Sequence, residues 1–164
     1  MIILGIDPGL ATMGYGAIET IGEKRKLIDF GVITTPAGMP LPRRLKLLFE
    51  GVNGLFDRID PDDVALEELF FSKNVTTGIN VAQARGAILA AIAERTENLY
   101  EYTPNQIKQA VTSYGGADKH QMQQMVKLLL NMPEIAKPDD AADGLAVALT
   151  HAASMRSKSI FKIM

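Results

Sequence analysis

Near residue 40 the hydrophobic pattern of this chain passes from strand periods alone to strands alternating with helices, and that change restricts the fold more than any other feature. Before it, three runs carry a strand pattern. Residues 2–6 are a short apolar run that ends in Asp7-Pro8-Gly9, a turn sequence. Residues 13–19 alternate loosely, with Gly14 and Gly16 weakening them as a strand. Residues 26–35 carry Leu27, Ile28, Phe30, Val32 and Ile33 ahead of Pro36. Short turns between such runs predict an antiparallel meander.

After the change, helical and strand patterns alternate. Leu45, Leu48, Phe49, Val52, Leu55 and Phe56 recur at three- and four-residue spacing, which predicts an amphipathic helix over 41–59. A strand is expected over 64–69, an alanine-rich helix over 77–96 and a short strand over 99–102. Helical patterns follow over 105–112 and 119–131, separated by Gly115-Gly116, and a last helix over 139–155 starts just after Pro138. The final residues, 156–164, show no partner pattern and are expected to fray. A meander followed by strand–helix–strand units predicts one α/β domain over 1–155: a mixed sheet of antiparallel and parallel strands flanked by helices.

Composition narrows the function classes. The 164 residues suit one domain with an adequate core. With no cysteine there is no disulfide, no thiolate zinc site and no cysteine nucleophile. No segment reads as a signal peptide or a membrane span, so a cytoplasmic protein is expected. A formal net charge of −2 argues against binding nucleic acid by bulk charge.

Several carboxylates stand out by position. Asp7 closes the first apolar run, where it is either a turn former or an acid pointed into a cleft. Glu67 and Glu68 lie within an apolar strand, on opposite faces; one shares a face with Ala65, the other with Leu66. Alternation does not choose between them, and an edge strand with one wet face would accommodate either. Asp139, Asp140 and Asp143 open the last helix. Asp140 and Asp143 project from one face, while Asp139 is placed as an N-cap. Acids at a strand end, within a strand and on a helix suit a hard cation such as Mg²⁺ or Mn²⁺, and two such ions serve in-line phosphodiester hydrolysis.

The runs ILGIDPG, ALEELFFSKN, QARGA, QIKQAVTSYGGADKHQM and DDAADGLAVALTHA occur in that order over residues 1–152. Together they resemble the RuvC family of bacterial Holliday-junction resolvases. The resemblance implies a ribonuclease-H-like fold and a homodimer that makes paired symmetric nicks in four-way junction DNA, in recombination and repair. It implies work beside the branch-migration motor complex of RuvA and RuvB. Two Mg²⁺ ions per site are expected, with Mn²⁺ able to substitute, held by Asp7, Glu67, Asp140 and Asp143. Glu68 and Asp139 become neighbours rather than ligands. Phe70 matches an aromatic that stacks on an unpaired base, whereas Phe71 is assigned to the core. Lys108 and Lys119 match lysines near the scissile phosphate, and Lys73, Asn74 and Arg85 are expected to contact the DNA backbone. His120 could touch DNA beside Lys119; His151 is expected at a polar surface or interface. Small residues at Ala82, Gly86, Ala90 and Ala93 suit close helix packing, either as a core seam or, as the dimeric family implies, with part of their helix at the two-fold.

Three other readings compete. A non-catalytic junction-binding module is one, but intact acids at all four positions speak against it. An actin-like ATP-binding protein would use the Asp7-Pro8-Gly9 turn on phosphate, but such folds need a second lobe. A related nuclease of other preference, such as an RNA–DNA hybrid cutter, would share the acids. The charge argument also changes: without the four acids the formal charge is +2, so −2 averages a metal site with the remaining surface.

Overall fold

The computed structural model describes residues 1–69 and 75–163. The meander is present: β1 (Ile2–Asp7), β2 (Thr12–Ile21) and β3 (Lys24–Thr34) pair antiparallel. Next come α1 (Leu41–Ile59), β4 (Asp63–Glu67), α2 (Val75–Ala93) and β5 (Leu99–Tyr102). The chain continues through α3 (Pro104–Thr112), α4 (Lys119–Leu129) and α5 (Asp139–Ala153). In the sheet the order is β3-β2-β1-β4-β5, with β4 parallel to both β1 and β5. The mixed α/β sheet expected from the change of period is the sheet observed.

Local chemistry sets several boundaries. Helix α1 starts with a proline in its first turn and stops at Asp60, which takes a left-handed conformation (φ 49°). Thr103 and Gln106 form a reciprocal capping box at α3, and Asp118 and Gln121 do the same at α4. Asp139 does not cap α5. The cap position belongs to Pro138, and Asp139 is already inside the first turn.

Two apolar layers sandwich the sheet. Leu4, Ile6, Val64 and Leu66 face α1 and α2, meeting Leu48, Val52, Ile88 and Ile92. Ile3, Ala65 and Tyr102 face the other way, toward α5, α3 and α4. Helix α5 is buried almost all round, which is why its pattern is nearly continuous alanine, leucine and valine. It comes so close to the sheet that side chains are excluded at the contact. A Cβ at Gly14 would collide with the Asp140 carbonyl oxygen, and one at Gly144 would lie 2.6 Å from the Tyr15 backbone. Gly14 and Gly16, taken from sequence as weakening the strand, are what lets α5 lie on it.

Two expectations fail. Residues 156–163 do not fray: Met155–Phe161 form a 3₁₀ segment, and Lys162 bridges to Tyr100 at the edge of β5. The Ile163 amide also donates to the Leu99 carbonyl at 2.9 Å. An unpaired edge strand offers such a partner, and the tail takes it. His151 is not at a surface; it is fully buried.

The close contact yields a test. Gly14→Ala forces α5 away from β2 and costs about 1–3 kcal/mol of stability, as overpacking does. The denaturant midpoint should fall accordingly, whereas alanine at Gly38, where nothing lies within 4 Å, should leave it nearly unchanged.

Candidate active site

Asp7 and Glu67 end adjacent parallel strands. The register pairs Ile6 with Leu66, so the next residue on each strand is an acid, one strand spacing apart. On β4, Asp63, Ala65 and Glu67 alternate onto one face, and Ala65 lies in the layer covered by α5. Glu67 therefore points toward α5, and Glu68, the residue after β4, lines a cleft together with Glu67 and Arg85. Asp140 and Asp143 stand in the first turns of α5, over the same end of the sheet. Strand order and helix packing thus bring four sequence-distant acids to one edge of the molecule.

Two clefts meet there, sharing Glu67, Pro104 and Asp143. One, of about 290 Å³, adds Lys108 and Lys119. The other, of about 340 Å³, adds Asp7, Glu68 and Arg85. Lys119 is the first residue of α4, fixed by the Asp118 capping box. Its ammonium lies 3.4 Å from both Asp143 and Asp139. Asp139 in turn accepts from Gln123 at 3.0 Å. Arg85 on α2 pairs with Glu101 of β5. His120 is exposed, within reach of Gln124. Phe70, Phe71, Lys73 and Asn74 lie outside the described residues.

The electrostatics are those of like charges crowded away from water. Burial, then the carboxylates of Glu67, Asp143 and Asp140, push Asp7 up from 3.8 to about 8. Burial and Asp143 raise Glu67 from 4.5 to about 7, with Lys108 and Lys119 opposing. Asp143 is raised by burial and held back by Lys119. For Lys119, burial acts downward, but Asp143 and Asp139 outweigh it and the ammonium is raised.

Among the described residues, no three acid or histidine side chains already surround one ion-sized point. The donor set still fits a hard divalent cation. Every donor is a carboxylate oxygen, and the mutual repulsion that raises Asp7 and Glu67 is what a cation would remove.

Some of this lay in the sequence unread. Thr103-x-x-Gln106 and Asp118-x-x-Gln121 are capping-box spacings, and they fix the helices that carry Lys108 and Lys119. The pairing of Asp139 with Lys119 and of Arg85 with Glu101 had no local signal, because the partners lie on different elements.

The raised acids predict an unusual pH profile. From about pH 4 to about pH 8 the folded chain keeps protons on Asp7 and Glu67 that the unfolded chain releases. Unfolding stability therefore falls as pH rises through that window in metal-free buffer. Asp7→Asn should flatten the profile and raise the melting midpoint at pH 8 in EDTA, as scanning calorimetry would show. A midpoint lower than wild type there would contradict this account.

The family model described as Crossover junction endodeoxyribonuclease RuvC matches residues 3–151. A protein of that name from Chloroflexus aggregans is 54% identical over 152 residues, 93% of each chain. Its namesake in Clostridioides difficile is 52% identical over 162 residues, 99% of this chain and 96% of the relative. Among solved structures, Thermus thermophilus RuvC in complex with Holliday junction substrate superimposes with a TM-score of 0.90 at 36% identity, covering 95% of each chain. An acid-lined cleft at the end of a mixed sheet and these matches lead to one conclusion: the chain belongs to the RuvC family of crossover junction endodeoxyribonucleases.

Proposed function

We infer that this protein resolves Holliday junctions, cutting four-way DNA by phosphodiester hydrolysis in recombination and repair. The observation that carries the reading is the gathering of Asp7, Glu67 and Asp143 about one cleft edge, with Asp140 coupled to Asp7, beside Lys108 and Lys119. Membership of the RuvC family supplies the substrate. An acidic pocket alone would repel DNA, and the flanking lysines are what make it compatible with a phosphodiester.

Asp7, Glu67, Asp140 and Asp143 are the residues to hold Mg²⁺, with Mn²⁺ as the alternative ion. Such ions, when bound, make water nucleophilic near neutral pH and offset charge on the reacting phosphate. The chain's own residues do the rest. Lys119 and Lys108 bring ammonium groups to the cleft where negative charge grows during attack. Lys119 is anchored by α4 and by Asp143, so it needs little reorganisation. Arg85 lies at the other side of the site and suits a backbone phosphate. Phe70, Lys73 and Asn74 are assigned to the DNA by resemblance alone, Phe70 as a base-stacking aromatic.

Paired nicks need two sites related by symmetry. On α2, Gly86, Ala90 and Ala93 are exposed, Ala82 is partly exposed, and Ile79 is 52% exposed on the same side. A small-residue stripe turned to solvent fits a helix that meets its own copy across a two-fold. The homodimer, cooperation with the RuvA–RuvB motor and a cytoplasmic location go with this reading.

Incubation with a synthetic four-way junction and Mg²⁺, beside linear duplex and RNA–DNA hybrid, tests it. Symmetric paired nicks in the junction alone are expected; cleavage of the hybrid instead would transfer the protein to another nuclease activity. Asp7→Asn should abolish cutting and leave junction binding largely intact. Lys119→Ala should slow cutting at saturating DNA by about 10²-fold or more, in line with loss of an electrostatic stabiliser. Ala90→Glu should convert the dimer to a monomer in sedimentation velocity and replace paired nicks by single ones.

A further inference from the structure

Strand β4 and helix α5 meet at two places, and the active site accounts for only one. The face of β4 turned to α5 reads Asp63, Ala65, Glu67, which sets Asp63 about 13 Å from Glu67 along the strand. On α5, Asp143 and His151 are eight residues apart, about 12 Å along the helix axis. The two spacings match. Where Glu67 sits near Asp143 at one end, Asp63 meets His151 at the other.

This second meeting is a fully satisfied buried chain. His151 is 0% exposed and Asp63 2%. Nε2 of His151 lies 2.9 Å from the Asp63 carboxylate and Nδ1 lies 2.8 Å from the Tyr102 hydroxyl. A neutral imidazole donating from Nε2 to Asp63 and accepting the Tyr102 proton at Nδ1 satisfies all three groups. Burial holds the imidazole below its usual value, with the Lys158 charge acting in the same direction and Asp63 opposing. The charge that balances Asp63 is Lys158, whose ammonium lies 2.6 Å from the same carboxylate oxygen and 5.2 Å from the centre of the Tyr100 ring. Lys158 belongs to the 3₁₀ segment that returns to the β5 edge. A buried carboxylate left without its cation is costly, so the returning segment is bound into the core electrostatically as well as by backbone pairing.

We propose that the Lys158–Asp63–His151–Tyr102 chain is a positioning element for the active site, fixing how far α5 slides along β4 and hence where Asp140 and Asp143 stand relative to Glu67. The C-terminal segment, through Lys158, thereby serves the chemistry at the far end of the helix. The inference rests on the metal-site reading above. Outer partners that orient ligand-bearing groups cost about 10–100-fold in metal affinity when removed, and a comparable loss is expected here.

The test compares full-length wild type, Lys158→Met, Lys158→Arg and His151→Gln by calorimetric Mg²⁺ titration at a temperature where each is folded by circular dichroism. Lys158→Met, at a partly exposed position on the tail, carries the test if His151→Gln does not fold. Expected are a tenfold or greater weakening of Mg²⁺ binding in Lys158→Met, recovery in Lys158→Arg, and a lower cleavage rate at unchanged junction affinity. The His151 ring signals in nitrogen-edited NMR should also titrate at higher pH in Lys158→Met. Wild-type Mg²⁺ affinity in folded Lys158→Met, with or without a changed imidazole, overturns the proposal and leaves the chain a core contact. Failure of wild type itself to bind Mg²⁺ overturns the metal-site reading and this proposal with it, and Asp7→Asn as a non-binding control separates the two cases.

Discussion

The structure depends on the close seating of α5 against the sheet. Glycine is required on both sides of that contact: a Cβ at Gly5 or Gly14 would strike the helix backbone, and one at Gly144 would strike β2. The helix consequently lies within backbone contact distance of β1 and β2, closer than side-chain packing would permit. This is what allows acids on its first turns to reach the acids that end β1 and β4. The core and the site are therefore one construction, with small residues at the contact and charged ones where it ends.

That construction concentrates negative charge where water is scarce. Burial and neighbouring carboxylates push Asp7 up to about 8 and Glu67 up to about 7, an electrostatic cost to the metal-free protein. Lys119 relieves part of it by lying against Asp143, and Asp139 supplies a second partner that keeps the ammonium at the rim. The overall charge of −2 conceals this, because it sums a crowded acidic edge with a surface that is otherwise slightly basic.

Much of the fold was legible along the chain. The boundaries of α1 and β5 follow from a regular apolar stripe and from Pro104, and the change of period near residue 40 separates meander from alternating elements. Both signals are local, so they survive without tertiary information. The tail was misread because its partner, the open edge of β5, is created only by folding. His151 was placed at a surface because a polar residue on an apolar helix gives no sign of which buried group will meet it. Its partners, Asp63 and Tyr102, are 88 and 49 residues away in sequence.

The site divides in the same way. Sequence by itself determined the family and supplied the candidates: oxygen donors without cysteine, an acid at a strand end, an acid pair on one helix face, and motifs that name a family. Tertiary structure alone decided their arrangement. Alternation places Glu67 and Glu68 on opposite faces but is silent on which face a helix covers, and only the packing of α5 over Ala65 turns Glu67 inward. The reason is physical: strand period and helix period are properties of the local backbone. The closeness of one element to another is set by side-chain volume at contacts between residues far apart in the chain.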